Sequence, residues 1–288
     1  MLTKGQSRQE FTLSEAEAGQ RLDRVLAARL GLPRSAVQCL FSQGRVTAAG
    51  RRLKPASRLA AGAVVVVDIP SPPAELPRVP ILHEDEHIVV VDKPAGLPVH
   101  PPGAGWPGVS LVEVLSRDRR LAGGAPERPG VVHRLDAATS GVMVVAKDHS
   151  AYLRLVEEFR SRRVLKEYLA LVEGELEVAE GEIRGRLGRD PRAPWRMRVS
   201  PGGKDALTEF RVLRVKGGRT LLSVRLHTGR THQIRVHLAA IGHPVVGDPV
   251  YGRAGPRLML HSFRLGFYHP RDGKWREFTS RPPAELAG

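Results

Sequence analysis

Apolar positions recur at helical spacing twice near the start of the chain. Over Arg21–Leu30, Leu22, Val25, Leu26 and Leu30 fall on one face and Gly31 follows as a stop, which predicts a helix. A second helix is predicted from Pro33-Arg34-Ser35 to about Gln43, with Val37, Leu40 and Phe41 set apart from Arg34, Gln38 and Gln43, and Gly44 closing it. Short strands follow at Arg45–Thr47 and Ala63–Asp68. Further on, strands are predicted at Ile81-Leu82, His87–Val91, Val142–Ala146 and Val164–Val172, and Leu207–Val215 with Thr220–Leu226 forms a hairpin over Gly217-Gly218. Helices are predicted over His149–Arg163 and about His232–Ile241. There is no strand–helix–strand rhythm and no Gly-rich phosphate loop, so the order predicts an α+β fold with a mostly antiparallel mixed sheet and flanking helices.

The pattern breaks once. The stretch Ile69–Pro80 carries five prolines, which continue neither a helix nor a central strand. It divides the 288 residues into a small N-terminal α/β domain (1–70), a Pro-rich linker (71–80) and a larger domain (81–288). That length buries a core without staples. A lone Cys39 excludes a disulfide framework and a Cys-based zinc site. No apolar run has the length of a membrane span, and Met1–Gln6 lacks the apolar stretch of a signal peptide, so a cytoplasmic protein is expected.

Charge changes the picture more than composition. Lys and Arg number 45 against 30 Asp and Glu, a net charge of +15. Residues 1–70 hold +6 of it and residues 71–288 hold +9, so the first quarter is the more densely basic. A soluble chain this basic implies an anionic partner, most commonly nucleic acid. Arg21, Arg24, Arg34, Ser35, Arg45, Arg51, Arg52 and Lys54 surround the predicted helix pair and form a candidate phosphate-binding surface.

Candidate chemistry centres on Val131–Gly141, where Arg134-Leu135-Asp136 precedes a small polar turn and the apolar run Val142–Ala146. A carboxylate on a loop backed by a rigid strand suits a nucleophile or a base, although Arg-x-Asp by itself is more often a surface ion pair. His227, His232 and His237, with Asp248 near, raise the question of a metal; five-residue spacing does not align on one helical face, so structural or RNA-facing roles are expected instead. Arg160–Arg163 at a helix end suits the helix dipole and is also a candidate for RNA phosphate.

Two resemblances sharpen this. Residues 15–70 resemble the small RNA-binding domain named after ribosomal protein S-four, with Ala48-Ala49-Gly50 standing where that family has Val-Asn-Gly. Residues 81–270 resemble the RluA-type pseudouridine synthases through five segments in family order. These are Asp92–Pro101, Gly130–Lys147, Lys166–Gly174, Thr228–Gly252 and Leu260–Pro270. Ala137-Ala138 departs from the Lys or Arg followed by Asp that many members carry, which bears on substrate identity.

The second resemblance implies an isomerase that converts uridine in RNA to pseudouridine with no cofactor or metal. It makes Asp136 the catalytic aspartate, Arg235 its ion-pair partner, and Tyr168 the aromatic that stacks on the extruded base. Arg134 is expected to fill the space the base leaves or to hold its phosphate. The attached N-terminal module and the segment Met197–Lys204 look most like the members acting on large-subunit ribosomal RNA, and a monomer is expected. A non-catalytic RNA-binding assembly factor is the alternative; it would keep the basic surfaces without needing Asp136, Tyr168 and Arg235. A glycosidic hydrolase would want a second acidic carboxylate; Asp92 and Asp248 are conceivable partners, but nothing in the spacing supports either in that role.

Overall fold

A computed structural model describes residues 6–70, 76–102, 106, 108–125 and 128–287. Residues 71–75 of the expected linker therefore lie outside the described residues, as does the Ser35 side chain. The chain forms two compact units, Met1–Arg78 together with His100–Ser110, and Val79–Val99 together with Leu111–Gly288. The sequence reading draws a single cut at the prolines, whereas His100–Ser110 belongs with the first unit, where Trp106 packs against its apolar cluster.

In the first unit, α1 (Leu22–Leu30) and α2 (Arg34–Ser42) lie close to the predicted helices. Gly31 caps α1 in the left-handed conformation, φ 64°, as its place after the apolar stripe requires. Leu22, Leu26, Val37 and Leu40 are fully buried with Val46, Val65 and Val67, each such side chain stabilising the unit by about 1.5–3 kcal/mol. The sheet has the order β1-β4-β2-β3, from Gln6–Thr12 (β1), Val46–Ala48 (β2), Arg51–Arg52 (β3) and Val64–Pro70 (β4). β1 was not expected: its exposed polar residues hide a register in which all seven positions pair antiparallel with β4.

The second unit is built on one large sheet. Its strands are β5 (Ile81–Glu84), β6 (Ile88–Lys93), β7 (Ser140–Ala146), β8 (Leu165–Glu173), β9 (Glu180–Asp190), β10 (Ala193–Val199), β11 (Lys204–Lys216), β12 (Arg219–Leu226), β13 (Leu260–Tyr268) and β14 (Trp275–Thr279). Helices α3 (Leu111–Ser116), α4 (His149–Arg160) and α5 (Gln233–Ala240) accompany them. The order is β10-β9-β11-β12-β8-β13-β7-β6-β5, with β14 on β13. Every pairing is antiparallel except β13 with β7, which matches the expected α+β architecture with a mostly antiparallel mixed sheet.

β7 is buried at all seven positions and lies inside the sheet between β13 and β6. Its Gly141 stands at φ 116°, and a Cβ there would lie 2.2 Å from the Ser262 carbonyl oxygen of β13, so only glycine lets these strands approach. Strands β9 and β10 escaped the sequence reading because Gly and Arg interrupt their alternation; only Leu187, Met197 and their neighbours turn inward against Val236 and Tyr251. Among the described residues, no helix is long and apolar enough to cross a membrane.

Candidate active site

Asp136 lies in the turn that feeds β7, with the Thr139 amide donating to its carbonyl at 3.1 Å. Its carboxylate is about one-fifth exposed, 22%, enough to meet a substrate. Arg235 Nη1 donates to Asp136 Oδ2 at 3.0 Å. The same guanidinium donates twice more, Nε to Asp248 Oδ2 at 2.7 Å and Nη2 to Asp248 Oδ1 at 2.8 Å. Asp248 is fully buried and also accepts the Val250 and Tyr251 amides. One buried guanidinium thus bridges a fully buried carboxylate that fixes it and an outer one that is partly exposed.

Sequence folds the segment before Arg235 locally. Gln233 accepts Thr228 Oγ1 and the Arg230 amide on Oε1, and donates through Nε2 to the Leu207 carbonyl and Thr208 Oγ1. That fixes the entry to α5, where Arg235 occupies the first turn. His232 precedes the helix in the left-handed region, φ 55°. Its Nδ1 lies 2.9 Å from the Tyr251 hydroxyl, and its Nε2 3.8 Å from Asp136 Oδ2. The Tyr251 oxygen accepts the Met197 amide at 2.8 Å, leaving its own proton for Nδ1. Neutral His232 therefore carries its ring proton on Nε2, the side that faces Asp136.

Burial pushes the Asp136 carboxyl up, while His232, Arg235 and Arg134 pull it further down, so its pKa lies below the ordinary carboxylate value. Burial lowers the pKa of His232 itself, so at neutral pH the standing positive charge comes from the arginines. Tyr168, on β8 opposite Ser262 of β13, is buried. Burial raises its pKa well above the usual phenol range, so Tyr168 is a neutral phenol. Arg134 is exposed at the rim, its Nη2 donating to Thr231 Oγ1 at 2.9 Å.

The structure thus gathers Asp136, Arg235 and Arg134 around one carboxylate, with Tyr168 near enough for Asp136 to raise its pKa. Sequence reasoning gave no role to Asp248 beyond a conceivable metal ligand or second acid, and it missed Tyr251 and Lys93. Lys93 is fully buried at the end of β6, donating to the carbonyls of Pro94, Leu97 and Ala137. Burial pulls its ammonium down to about 7 against the opposing charges of Asp136 and Asp92. It fastens the residue next to Asp136. The available signal was a fully apolar run, Ile88–Val91, closed by Asp92 and Lys93.

The histidines separate: His227 Nε2 meets Glu209 Oε2 at 2.8 Å, His237 Nδ1 meets Thr208 Oγ1 at 2.9 Å, and His232 lies beside the Asp136 carboxylate. Among the described residues, no group of three or more His, Cys, Asp or Glu is placed to hold a metal ion.

In the first unit, Arg21 and Arg34 converge on the fully buried Asp23, at 3.0 and 2.8 Å. Arg45 Nε donates to Gln43 Oε1 at 2.8 Å. Arg24, Arg51, Arg52 and Lys54 are exposed.

Residues 87–240 match the family model described as RNA pseudouridylate synthase. The chain is 45% identical to an "Uncharacterized RNA pseudouridine synthase" of Chloroflexus aurantiacus, over 94% of this chain and 89% of that protein. It is 42% identical to the "Ribosomal large subunit pseudouridine synthase D" of Xylella fastidiosa, over 92% of this chain and 86% of that protein. Among solved structures it resembles human RNA pseudouridylate synthase domain containing 1, with a TM-score of 0.61 and 28% identity over 74% of this chain and 88% of the other. With its sheet, the family model and these relatives agreeing, the chain belongs to the RNA pseudouridine synthase family and is an isomerase that modifies RNA.

Proposed function

We propose that Asp136 is the catalytic carboxylate, that the substrate is uridine in large-subunit ribosomal RNA, and that the first unit is an RNA-binding module of the S-four type. The observation that carries the catalytic part is the bond from Arg235 to Asp136, 3.0 Å, made by a guanidinium that buried Asp248 holds in place. A carboxylate kept ionised in an enclosed site can attack C1′ or C6 of the nucleotide, or remove the C2′ proton. The C1′–N1 bond breaks, the base turns, C5 joins C1′, N1 gains a proton and C5 loses one.

Tyr168 stacks on the extruded uracil, and its hydroxyl oxygen takes the C5 proton as its own proton passes to N1. Arg134, exposed at the rim, occupies the space left by the base or holds its phosphate. For the RNA, the basic first unit and the printed name of the Xylella relative both favour the large ribosomal subunit. Arg21 and Arg34, half-neutralised by one buried carboxylate, join Arg24, Arg45, Arg51, Arg52 and Lys54 as the phosphate-facing set. The enzyme is proposed to act in the cytoplasm as a monomer without a cofactor.

The test is pseudouridine mapping of total RNA, by carbodiimide adducts and primer-extension stops, in cells lacking the gene and in cells complemented with it. Stops lost from one or a few large-subunit positions, and restored by complementation, are expected. Loss confined to transfer RNA or small-subunit RNA would overturn the substrate, and no loss in any RNA would favour the assembly-factor reading.

A further inference from the structure

Helix α4 ends in an unusual way. After the C-cap Ser161, the Arg162 amide donates to the Phe159 carbonyl and the Arg163 amide to that of Glu158, at 3.4 and 3.1 Å. This is the paired hydrogen-bond closure in which the residue after the cap takes the left-handed conformation, a place glycine fills at least strain. Here it is Arg162, at φ 60°. A side chain kept in that conformation calls for a reason beyond ending a helix.

The neighbours of Arg162 supply one. Arg160 and Arg163 are matched by acids, Glu157 at 2.7 Å and Glu158 at 2.6 Å. Arg162 is not, and neither are Lys166 on β8 and Arg230 in the turn before α5: among the described residues, no carboxylate pairs with any of the three. Lys166 is half-buried, its one acceptor the Thr228 carbonyl at 3.5 Å. Burial, then the charges of Arg162 and Arg230, pulls its ammonium down to about 8. Lys166 thus reaches the turn that carries Arg230 and stands four residues after Arg162, partly desolvated, with no carboxylate paired to any of the three cations among the described residues.

The cluster sits beside the reacting centre. His133, next in sequence to Arg134, stacks on Phe159 of α4 with ring centroids 4.5 Å apart and accepts the Val144 amide of β7 on Nε2. Burial and the Lys166 charge hold His133 down to about 3, so it stays neutral and leaves the charge to Lys166. Arg230 adjoins Thr231, the residue that receives Arg134's hydrogen bond.

We propose that Arg162, Lys166 and Arg230 form a phosphate-binding subsite that grips the RNA backbone beside the uridine to be isomerised. The inference rests on the reading of Asp136 as the catalytic centre and adds a positioning site to it. Three cationic donors around a tetrahedral anion match a phosphodiester, and fixing the flanking phosphate offsets part of the cost of extruding the base.

Arg162→Gly makes a sharp test because its two effects have opposite signs. Relief of the left-handed strain raises the melting temperature, while loss of the cation weakens RNA binding. Equilibrium binding of an in vitro transcript of large-subunit ribosomal RNA, measured by filter retention over a range of KCl concentrations, gives affinity and salt slope without requiring turnover. Arg162→Gly and Lys166→Gln are each expected to raise Kd several-fold and to reduce the slope of log Kd against log salt by about 0.7–0.9, the scale of one phosphate contact. Arg160, grouped with its neighbours as an RNA-phosphate candidate from the sequence, is withdrawn from that set by its pairing with Glu157, so Arg160→Gln removes the same charge two residues away and is expected to leave both unchanged.

A more stable Arg162→Gly protein with wild-type Kd and slope would overturn the subsite. So would an equal loss in Arg160→Gln, which would reduce the effect to net charge. Because binding is read apart from catalysis, an inactive wild-type enzyme would instead count against Asp136 and its substrate.

Discussion

Each unit of the molecule contains an arginine–aspartate cluster built on a fully buried carboxylate, and the two clusters are balanced in opposite directions. In the first unit, Asp23 receives both Arg21 and Arg34; the two guanidinium groups, 27% and 52% exposed, outnumber the acid. In the second, one guanidinium, that of Arg235, serves two carboxylates, and the surplus is the outer one, Asp136. A buried acid with spare cations makes a post that presents positive charge to phosphate. A buried acid that spends its arginine on a second acid makes a holder for a reactive carboxylate. On the proposed reading, the same residue types serve recognition or chemistry according to which charge is left over.

The largest break in this comparison comes from Arg235→Met. Asp248 then stays buried without its counter-ion, costing about 3–5 kcal/mol of stability on thermal or urea unfolding. Turnover falls by about 10²–10³, the scale of removing one organised donor. The sign of the pH effect is set by the Asp136 pKa, which Arg235 helps hold below the ordinary value. Without the arginine that pKa rises, so the acid limb of kcat/KM moves to higher pH; an unmoved limb would mean that the pair does not set the ionisation.

Asp248→Asn tests whether the inner carboxylate acts through the arginine. It keeps the shape but loses the charge, and kcat is expected to fall about tenfold with KM little changed. An equal rise in KM would point to RNA contact instead. Tyr168→Phe retains the stacking ring and removes only the hydroxyl. Its kcat is expected to fall by about 10²–10⁴, the range for general acid–base steps, if that oxygen carries the C5 proton, while a fall of only a few-fold would confine Tyr168 to stacking.

The smallest effect belongs to the first unit. Asp23→Asn leaves Arg21 and Arg34 half in solvent, where water compensates them, so RNA affinity drops only a few-fold and kcat is unchanged. Asp23 lies near 2, its burial outweighed by the bonds from Arg21, Arg34 and Gln38. Its stabilising contribution is therefore complete above its ordinary value of 3.8 and is lost as pH falls toward 2. The stability difference between wild type and Asp23→Asn, followed by circular dichroism, is expected to close over that window.

Much of this was legible in the chain. The apolar run Val142–Ala146 and the glycines at 31 and 44 mark a buried strand and two helix ends through purely local patterns. Segments such as β9, with Gly and Arg at alternate positions, are strands because neighbouring strands and α5 cover one face, and no local pattern carries that. The loop with Arg134 and Asp136 could be picked out as a string. The Asp136–Arg235–Asp248 bridge could not, because it joins residues 99 and 13 apart in sequence and depends on the register of a nine-strand path. Asp23 reads as one acid in a basic helix until the fold brings Arg34 beside it.

The most direct test of the central claim is single-turnover tritium release from C5-labelled ribosomal RNA by purified wild-type enzyme and by Asp136→Asn, with RNA affinity measured in parallel. The substitution removes the reacting carboxylate and leaves the basic surfaces in place. The expected result is release slowed by about 10⁴-fold or more, the scale on which loss of a reacting group acts, with Kd within about twofold of wild type. Release by Asp136→Asn at a rate close to wild type would contradict the assignment.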